Sequence, residues 1–177
     1  ITRDIAERFN NIYGDVFTIP EAYIGKKGAK IMSLQEPGKK MSKSDTNANA
    51  TILLLDDTDT IIRKFKRAVT DSESEVRYAE EKPGISNLMD IYSAVTGKTY
   101  EEIEKEFAGK GYGDFKLAVG ETVADHLKPL QERYEQLMKD KAYIESMIKQ
   151  NDEKAAYYAN KTLRKVQKKV GLTERIR

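Results

Sequence analysis

The sequence predicts a mainly helical chain whose first 45 residues form the tail end of an α/β domain. Three observations carry this. From Asp57 onward the apolar residues recur at helical spacing, with capping and glycine stop signals between the runs. Before that point lie one helical stretch, a short β-branched run and an alternating apolar-polar segment. Charged residues make up 34% of the chain and mean hydropathy is −0.67, which fits a helix-rich chain with one modest core. The expected division is 1–45 for the α/β remnant and 46–177 for a helical domain, whose returning helices could pack on the first part.

Taken in order, Thr2 to Tyr13 reads as a helix. Ile5, Phe9 and Ile12 sit at i, i+4 and i+7, Thr2 is a plausible N-cap, and Gly14 ends it. Val16–Ile19 reads as a short buried strand stopped by Pro20. Ala29–Leu34 alternates apolar and polar, so a second strand or extended segment is expected. Thr46–Ala50 is a polar connector. Ile61, Phe65, Ala68 and Val69 then form an apolar stripe, with Arg63, Lys64, Lys66 and Arg67 around it.

Pro83-Gly84 reads as a turn. Ser86 is expected to cap a helix bearing Leu88, Ile91, Tyr92 and Val95, closed by Gly97. Thr99 with Glu102 is a capping box for a helix that buries Ile103 and Phe107. The cluster from Gly109 to Gly113 superficially suggests a dinucleotide loop. No strand precedes it and the spacing is wrong, so an interhelical turn is expected. A long helix follows, with Phe115, Val119, Val123, Leu127, Leu130, Tyr134 and Leu137 on its core face. Pro129 should kink or split it. The last helix is expected from about Asp152 to Val170, ended by Gly171.

Several function classes drop out on composition. The chain has no Cys, which removes disulfides, thiolate metal sites, iron–sulfur clusters and cysteine nucleophiles. Its one histidine, His126, excludes multi-histidine metal sites, and no metal-ligand set is expected. His126 itself reads as a packed or surface imidazole. No apolar run approaches the roughly 18–20 residues of a membrane span, and a cytoplasmic location is expected. The chain opens on Ile1 with no initiator Met and no charged-then-apolar leader, which suggests a piece of something longer.

The run Lys40-Met41-Ser42-Lys43-Ser44 carries the chemistry. Two ammonium groups, two hydroxyls and a small loop at Pro37-Gly38 suit a polyphosphate grip. Lysine and serine clusters are also common on solvated loops. In the last helix Arg164, Lys165, Lys168 and Lys169 recur at i, i+1, i+4 and i+5. They form either a solvated face that suits the helix C-terminal dipole or a contact surface for a phosphate backbone. Tyr157 and Tyr158 lie near it as candidates for base stacking, although packing between helices would account for at least one.

Read together, the segments point further. Gly28-Ala29-Lys30-Ile31-Met32-Ser33-Leu34 and Pro37-Gly38-Lys39-Lys40-Met41-Ser42-Lys43-Ser44-Asp45 closely resemble the signature loop of bacterial tryptophanyl-tRNA synthetases. The resemblance continues through Ala68–Glu73, Lys82–Leu88 and Gly109–Lys116, in order and over essentially the whole chain, up to Gly171-Leu172. It implies a class I aminoacyl-tRNA synthetase, with a Rossmann-type catalytic domain followed by a helical anticodon-binding domain. Such enzymes are homodimers that use ATP with Mg²⁺ to activate tryptophan and transfer it to its tRNA. By the same resemblance Lys43 stabilises charge on the departing pyrophosphate and Lys40 supports it. Ser42 and Ser44 orient the loop, Met41 belongs to the ATP-binding run, and Ile31 packs near the adenine. The remaining ATP contacts, the His-containing nucleotide motif and the tryptophan pocket have no counterpart here, so the chain is expected to be a C-terminal fragment, inactive alone. Without that half the signature loop is expected to be disordered or unnaturally folded. Two alternatives stand beside this: the tyrosine-specific sister enzyme, and a stand-alone helical RNA-binding or protein-interaction module.

Overall fold

The computed structural model describes residues 1–25 and 30–172. Six helices follow one another: α1 (Thr2–Tyr13), α2 (Thr58–Lys66), α3 (Pro83–Thr96), α4 (Tyr100–Glu106), α5 (Tyr112–Met138) and α6 (Lys141–Lys169). Among the described residues no extended strand forms; the only β-type pairing is an isolated antiparallel bridge between Met32 and Lys40. The mainly helical reading therefore holds. The contacts divide the chain into a terminal unit, Ile1–Tyr23 with Gln136–Arg177, and a central unit, Ile24–Glu135. The division of roles expected at 45 and 46 is a separate property from this division of contacts.

The central unit holds the core. Ile61 and Phe65 of α2, Ile85, Leu88 and Met89 of α3, Ile103 of α4, and Phe115 and Val119 of α5 are all essentially inaccessible. Leu34, from the segment before α2, is buried in the same cluster. Phe107 and Phe115 meet edge to face at 4.8 Å, and Tyr92 contacts both rings. Full burial of side chains this large contributes about 1.5–3 kcal/mol each before conformational entropy is counted. The predicted stripe is buried at Ile61 and Phe65 of α2 and at Ala68 just past its end, whereas Val69 is exposed. Lys64, one of the four cations around that stripe, is buried. Its ammonium donates to Asp56 at 2.6 Å and to the Thr51 carbonyl at 2.8 Å.

Local chemistry explains the helix starts. The Asp57 carboxylate accepts from the Thr60 amide at 2.7 Å and caps α2. The Thr99–Glu102 capping box forms on α4 as expected. Pro83-Gly84, read as a turn, begins α3 instead: at the first helical position proline has no amide to waste and its φ is already helical. Ser86 is accordingly inside the helix and not its cap. Its hydroxyl donates to the Ala79 carbonyl at 2.8 Å and accepts from the Ala79 amide at 3.1 Å. Gly97 closes α3 with φ 78°, a left-handed conformation that favours glycine. Gly109–Gly111 form the turn into α5, as read, while Tyr112 and Gly113 already belong to the helix. Pro129 does not split α5. Pro129 and Asp125, whose carbonyl loses its helical donor, both face solvent, so water can take the vacant bond.

The terminal unit contains α1, the last residues of α5, and α6. The bounds of α1 match the reading, but its N-cap is Ile1 and not Thr2. The expected strand at Val16–Ile19 is not formed. Its backbone is satisfied by Asn10, whose Oδ1 accepts from the Val16 and Phe17 amides and whose Nδ2 donates to the Phe17 carbonyl at 2.8 Å. A side-chain amide thus takes the place of a neighbouring strand. Helix α6 begins at Lys141 and not near Asp152, because Asp140 caps it by accepting from the Tyr143 amide at 2.9 Å. None of its residues is buried. Among the described residues no helix is long and apolar enough to cross a membrane.

Candidate functional site

The lysine-serine run is the return arm of a short hairpin. The Met41 amide donates to the Ile31 carbonyl at 3.0 Å and the Ser33 amide to the Lys39 carbonyl at 2.8 Å, on either side of the Met32–Lys40 bridge. Pro37 and Gly38 form the tip. The Ser33 hydroxyl supports the tip by accepting from the Gln35 and Glu36 amides. The loop, expected to be disordered or unnaturally folded, takes up this hairpin here. Gly28 and Ala29, the start of the signature segment, lie outside the described residues.

Beyond Met41 the chain turns on Ser42. Its hydroxyl accepts from the Ser44 amide at 3.3 Å and shares a hydrogen bond with the Ser44 hydroxyl at 3.0 Å. Its carbonyl accepts from the Asp45 amide and, at 2.7 Å, from the Thr51 hydroxyl. Thr51 is itself held by buried Lys64. On the hairpin side, Leu34 donates to the Ala50 carbonyl and accepts from the Val69 amide.

This frame fixes the cations differently. Lys39 is paired with Glu36 at 2.5 Å, and that hydrogen bond and charge raise its pKa above the ordinary lysine value. Lys40, Ser42, Lys43 and Ser44 are exposed, and among the described residues neither Lys40 nor Lys43 is in an ion pair. The arrangement offers two uncommitted ammonium groups, two hydroxyls and loop amides on one short turn. Ile31 and Met41 point the other way and, with Ile52, Ile91 and Val123, line an apolar cleft of about 210 Å³.

In the terminal unit the structure brings three of the four predicted α6 cations together. Arg164, Lys165 and Lys168 line an open cleft of about 580 Å³ with Gly171 and Leu172. The Lys169 ammonium lies beside Gly14, at the C-terminal end of α1, where the helix dipole favours a cation. Tyr157 and Tyr158 are both exposed and meet edge to face at 5.4 Å, so neither is consumed by packing. His126 is a surface residue of α5. Among the described residues no cluster of three or more histidine or carboxylate side chains is placed to hold a metal ion.

Sequence reasoning missed the residues that brace the loop, Asn87 and Thr51. The signal for Asn87 was present: an amide one position before the apolar pair Leu88-Met89 of a core helix needs partners.

Comparison with known proteins adds the following. The family model described as "tRNA synthetases class I (W and Y)" matches residues 1–128. The chain is 53% identical over 171 residues to the tryptophan–tRNA ligase of Clostridium tetani, covering 97% of this chain and 51% of that protein. It is 52% identical over 173 residues to that of Listeria monocytogenes serovar 1/2a, covering 97% and 52%. The crystal structure of tryptophanyl-tRNA synthetase from Mycoplasma pneumoniae superposes with a TM-score of 0.87 at 28% identity, over 97% of this chain and 52% of that one. That of the Campylobacter jejuni synthetase complexed with ADP and tryptophan gives 0.64 at 28% identity, over 96% and 52%. The chain spans about half the length of the curated relatives it matches.

Proposed function

The chain belongs to the class I tRNA synthetases of the tryptophan and tyrosine family, and from that premise we propose that it is the carboxy-terminal part of a tryptophan–tRNA ligase. The hairpin with its two unpaired lysines is the observation that carries the reading. In the reaction, the tryptophan carboxylate attacks the α-phosphate of ATP and pyrophosphate leaves. Negative charge grows on the departing oxygens. In this reading Lys43 stabilises it and Lys40 supports it, an effect on the order of 10²–10³ in rate for one well-aimed donor. Ser42 and Ser44 hold the turn and donate to phosphate oxygens. Ile31, on the apolar side of the hairpin, is the residue assigned to the adenine, and Met41 belongs to the same ATP-binding run. Mg²⁺ enters with the nucleotide as part of the substrate.

Residues 1–45 supply this ATP-phosphate loop and 46–177 the helices that bind tRNA. Arg164, Lys165, Lys168 and Lys169 supply phosphate contacts, and Tyr157 and Tyr158 are offered as stacking faces. The whole enzyme works as a cytoplasmic homodimer. Tryptophan is preferred to tyrosine because the relatives near 50% identity are named for tryptophan.

Calorimetric titration of the chain with inorganic pyrophosphate tests the loop. Lys43→Ala is expected to weaken binding about tenfold, while Lys39→Ala, whose charge Glu36 already engages, changes it less than twofold. Equal losses from the two variants would reduce the loop to a generic basic surface.

A further inference from the structure

Asn87 lies in α3, 55 residues from the hairpin it touches, and is 3% exposed. Its Oδ1 accepts from the Met32 amide at 2.8 Å and its Nδ2 donates to the Met32 carbonyl at 2.9 Å. A side-chain amide carries a donor and an acceptor in the same plane, as a peptide does. Asn87 therefore pairs with Met32 as a residue of an adjacent strand would. This also explains why, among the described residues 30–34, the alternating segment forms a single bridge and no sheet: the outer edge of Met32 is taken by a helix side chain.

Met32 is the residue opposite Lys40 across that bridge. Register in such a pair is unforgiving, since a slip of one residue turns every side chain to the other face. Leu34, fully buried, sets how deeply the hairpin sits. It does not set register alone, because an alternating segment offers Met32 as a second apolar anchor. The pair of bonds from Asn87 removes that freedom. Thr51 performs a lesser version of the task at the exit of the loop, through one hydrogen bond to Ser42.

We propose that Asn87 is a positioning residue for the phosphate loop, fixing through the Met32 backbone the register that turns Lys40 and Lys43 toward the phosphates. It touches no reacting atom. The proposal rests on the reading of the loop as a polyphosphate grip, and its test separates the two.

Amide hydrogen exchange in the chain comes first. In Asn87→Ala, protection of the Ser33 and Met41 amides is expected to fall at least tenfold, with Val119 and Val123 in α5 unchanged. Pyrophosphate affinity is expected to fall at least fivefold in the same folded protein. Asn87→Asp gives a signature that a packing role does not. Ionised, it cannot donate to the Met32 carbonyl and should resemble the alanine variant. Below the pKa of its carboxyl, the neutral acid restores one donor and one acceptor, so the ratio of variant to parent protection should recover. Protection lost evenly across hairpin and α5, or affinity unchanged with a loosened hairpin, would overturn the proposal. If the parent chain itself fails to bind pyrophosphate, the polyphosphate reading falls, and the exchange data alone decide whether Asn87 sets the register.

Discussion

At the scale of single residues, the most consequential feature is a buried polar knot behind the loop-bearing core. Lys82 is 1% exposed. Its ammonium pairs with Glu73, donates to the Tyr112 hydroxyl at 3.0 Å, and lies 3.8 Å from Asp71. Tyr112 in turn donates to Asp71 at 2.7 Å. The hydrogen bonds to Glu73 and then to Tyr112 outweigh burial and raise the Lys82 pKa well above its ordinary value. For Asp71 burial pushes upward, but Tyr112, the Glu73 amide and Lys82 together hold it below the usual carboxylate range. The signs follow from linkage. A raised lysine contributes stability that is fully present below its ordinary value and is lost as pH climbs through the raised one. A lowered aspartate contributes stability present above about 4 and lost as pH falls below it. Lys82→Met is therefore expected to lower Tm by several degrees at neutral pH and to flatten the alkaline side of a Tm–pH profile. Asp71→Asn should flatten the acid side; profiles parallel to the parent would contradict the assignment. Neither residue was legible as a partner in the sequence. Asp71 and Tyr112 are 41 positions apart, and spacing rules see only neighbours on one helix or strand.

At the scale of elements, what could be read was what local chemistry decides. The bounds of α1, the capping box of α4, the glycine end of α3 and the turn into α5 each follow from a few adjacent residues. What could not be read was set by distant partners. The strand expected at Val16–Ile19 lost to the Asn10 side chain, and the strand or extended segment expected at 29–34 is extended with a single bridge among its described residues. Lys64 appeared only as one of the four cations around the α2 stripe because its partner, Asp56, lies outside the helix. The Pro83-Gly84 start was misread because proline marks both turns and first helical positions. Gly84 shows why that start is rigid. A Cβ there would run into the Val69 carbonyl oxygen and lie 3.0 Å from Thr70 Cα. Glycine to alanine within a helix ordinarily stabilises by up to about 1 kcal/mol. Gly84→Ala is expected to do the reverse, destabilising by about 1–3 kcal/mol through overpacking against backbone. Gly111→Ala, with open space around it, should be near neutral. Urea unfolding of the two variants measures the contrast, and a stabilising Gly84→Ala would remove the close approach as the reason for glycine.

For the molecule as a whole, the lysine-serine hairpin was legible because phosphate chemistry concentrates in one short run, whereas its scaffold was not. The relatives are about twice as long. The chain is expected to show no tryptophan-dependent pyrophosphate exchange alone, yet to bind tryptophan-specific tRNA weakly, with affinity falling steeply as salt rises. Exchange by the pure chain would refute the first expectation. Salt-independent binding would refute the second, and weaker binding to a changed anticodon would show that bases are read. The terminal unit carries one more consequence. Its first helix and its last are separated by the about 110 residues of the central unit. At about 5–20 residues per second of synthesis, α1 waits roughly 5–20 s for α6 to be made. Through that interval the Lys169 ammonium, which lies beside Gly14 in the finished fold, is missing. Over that stretch of synthesis the carboxy-terminal end of α1 keeps its dipole uncompensated.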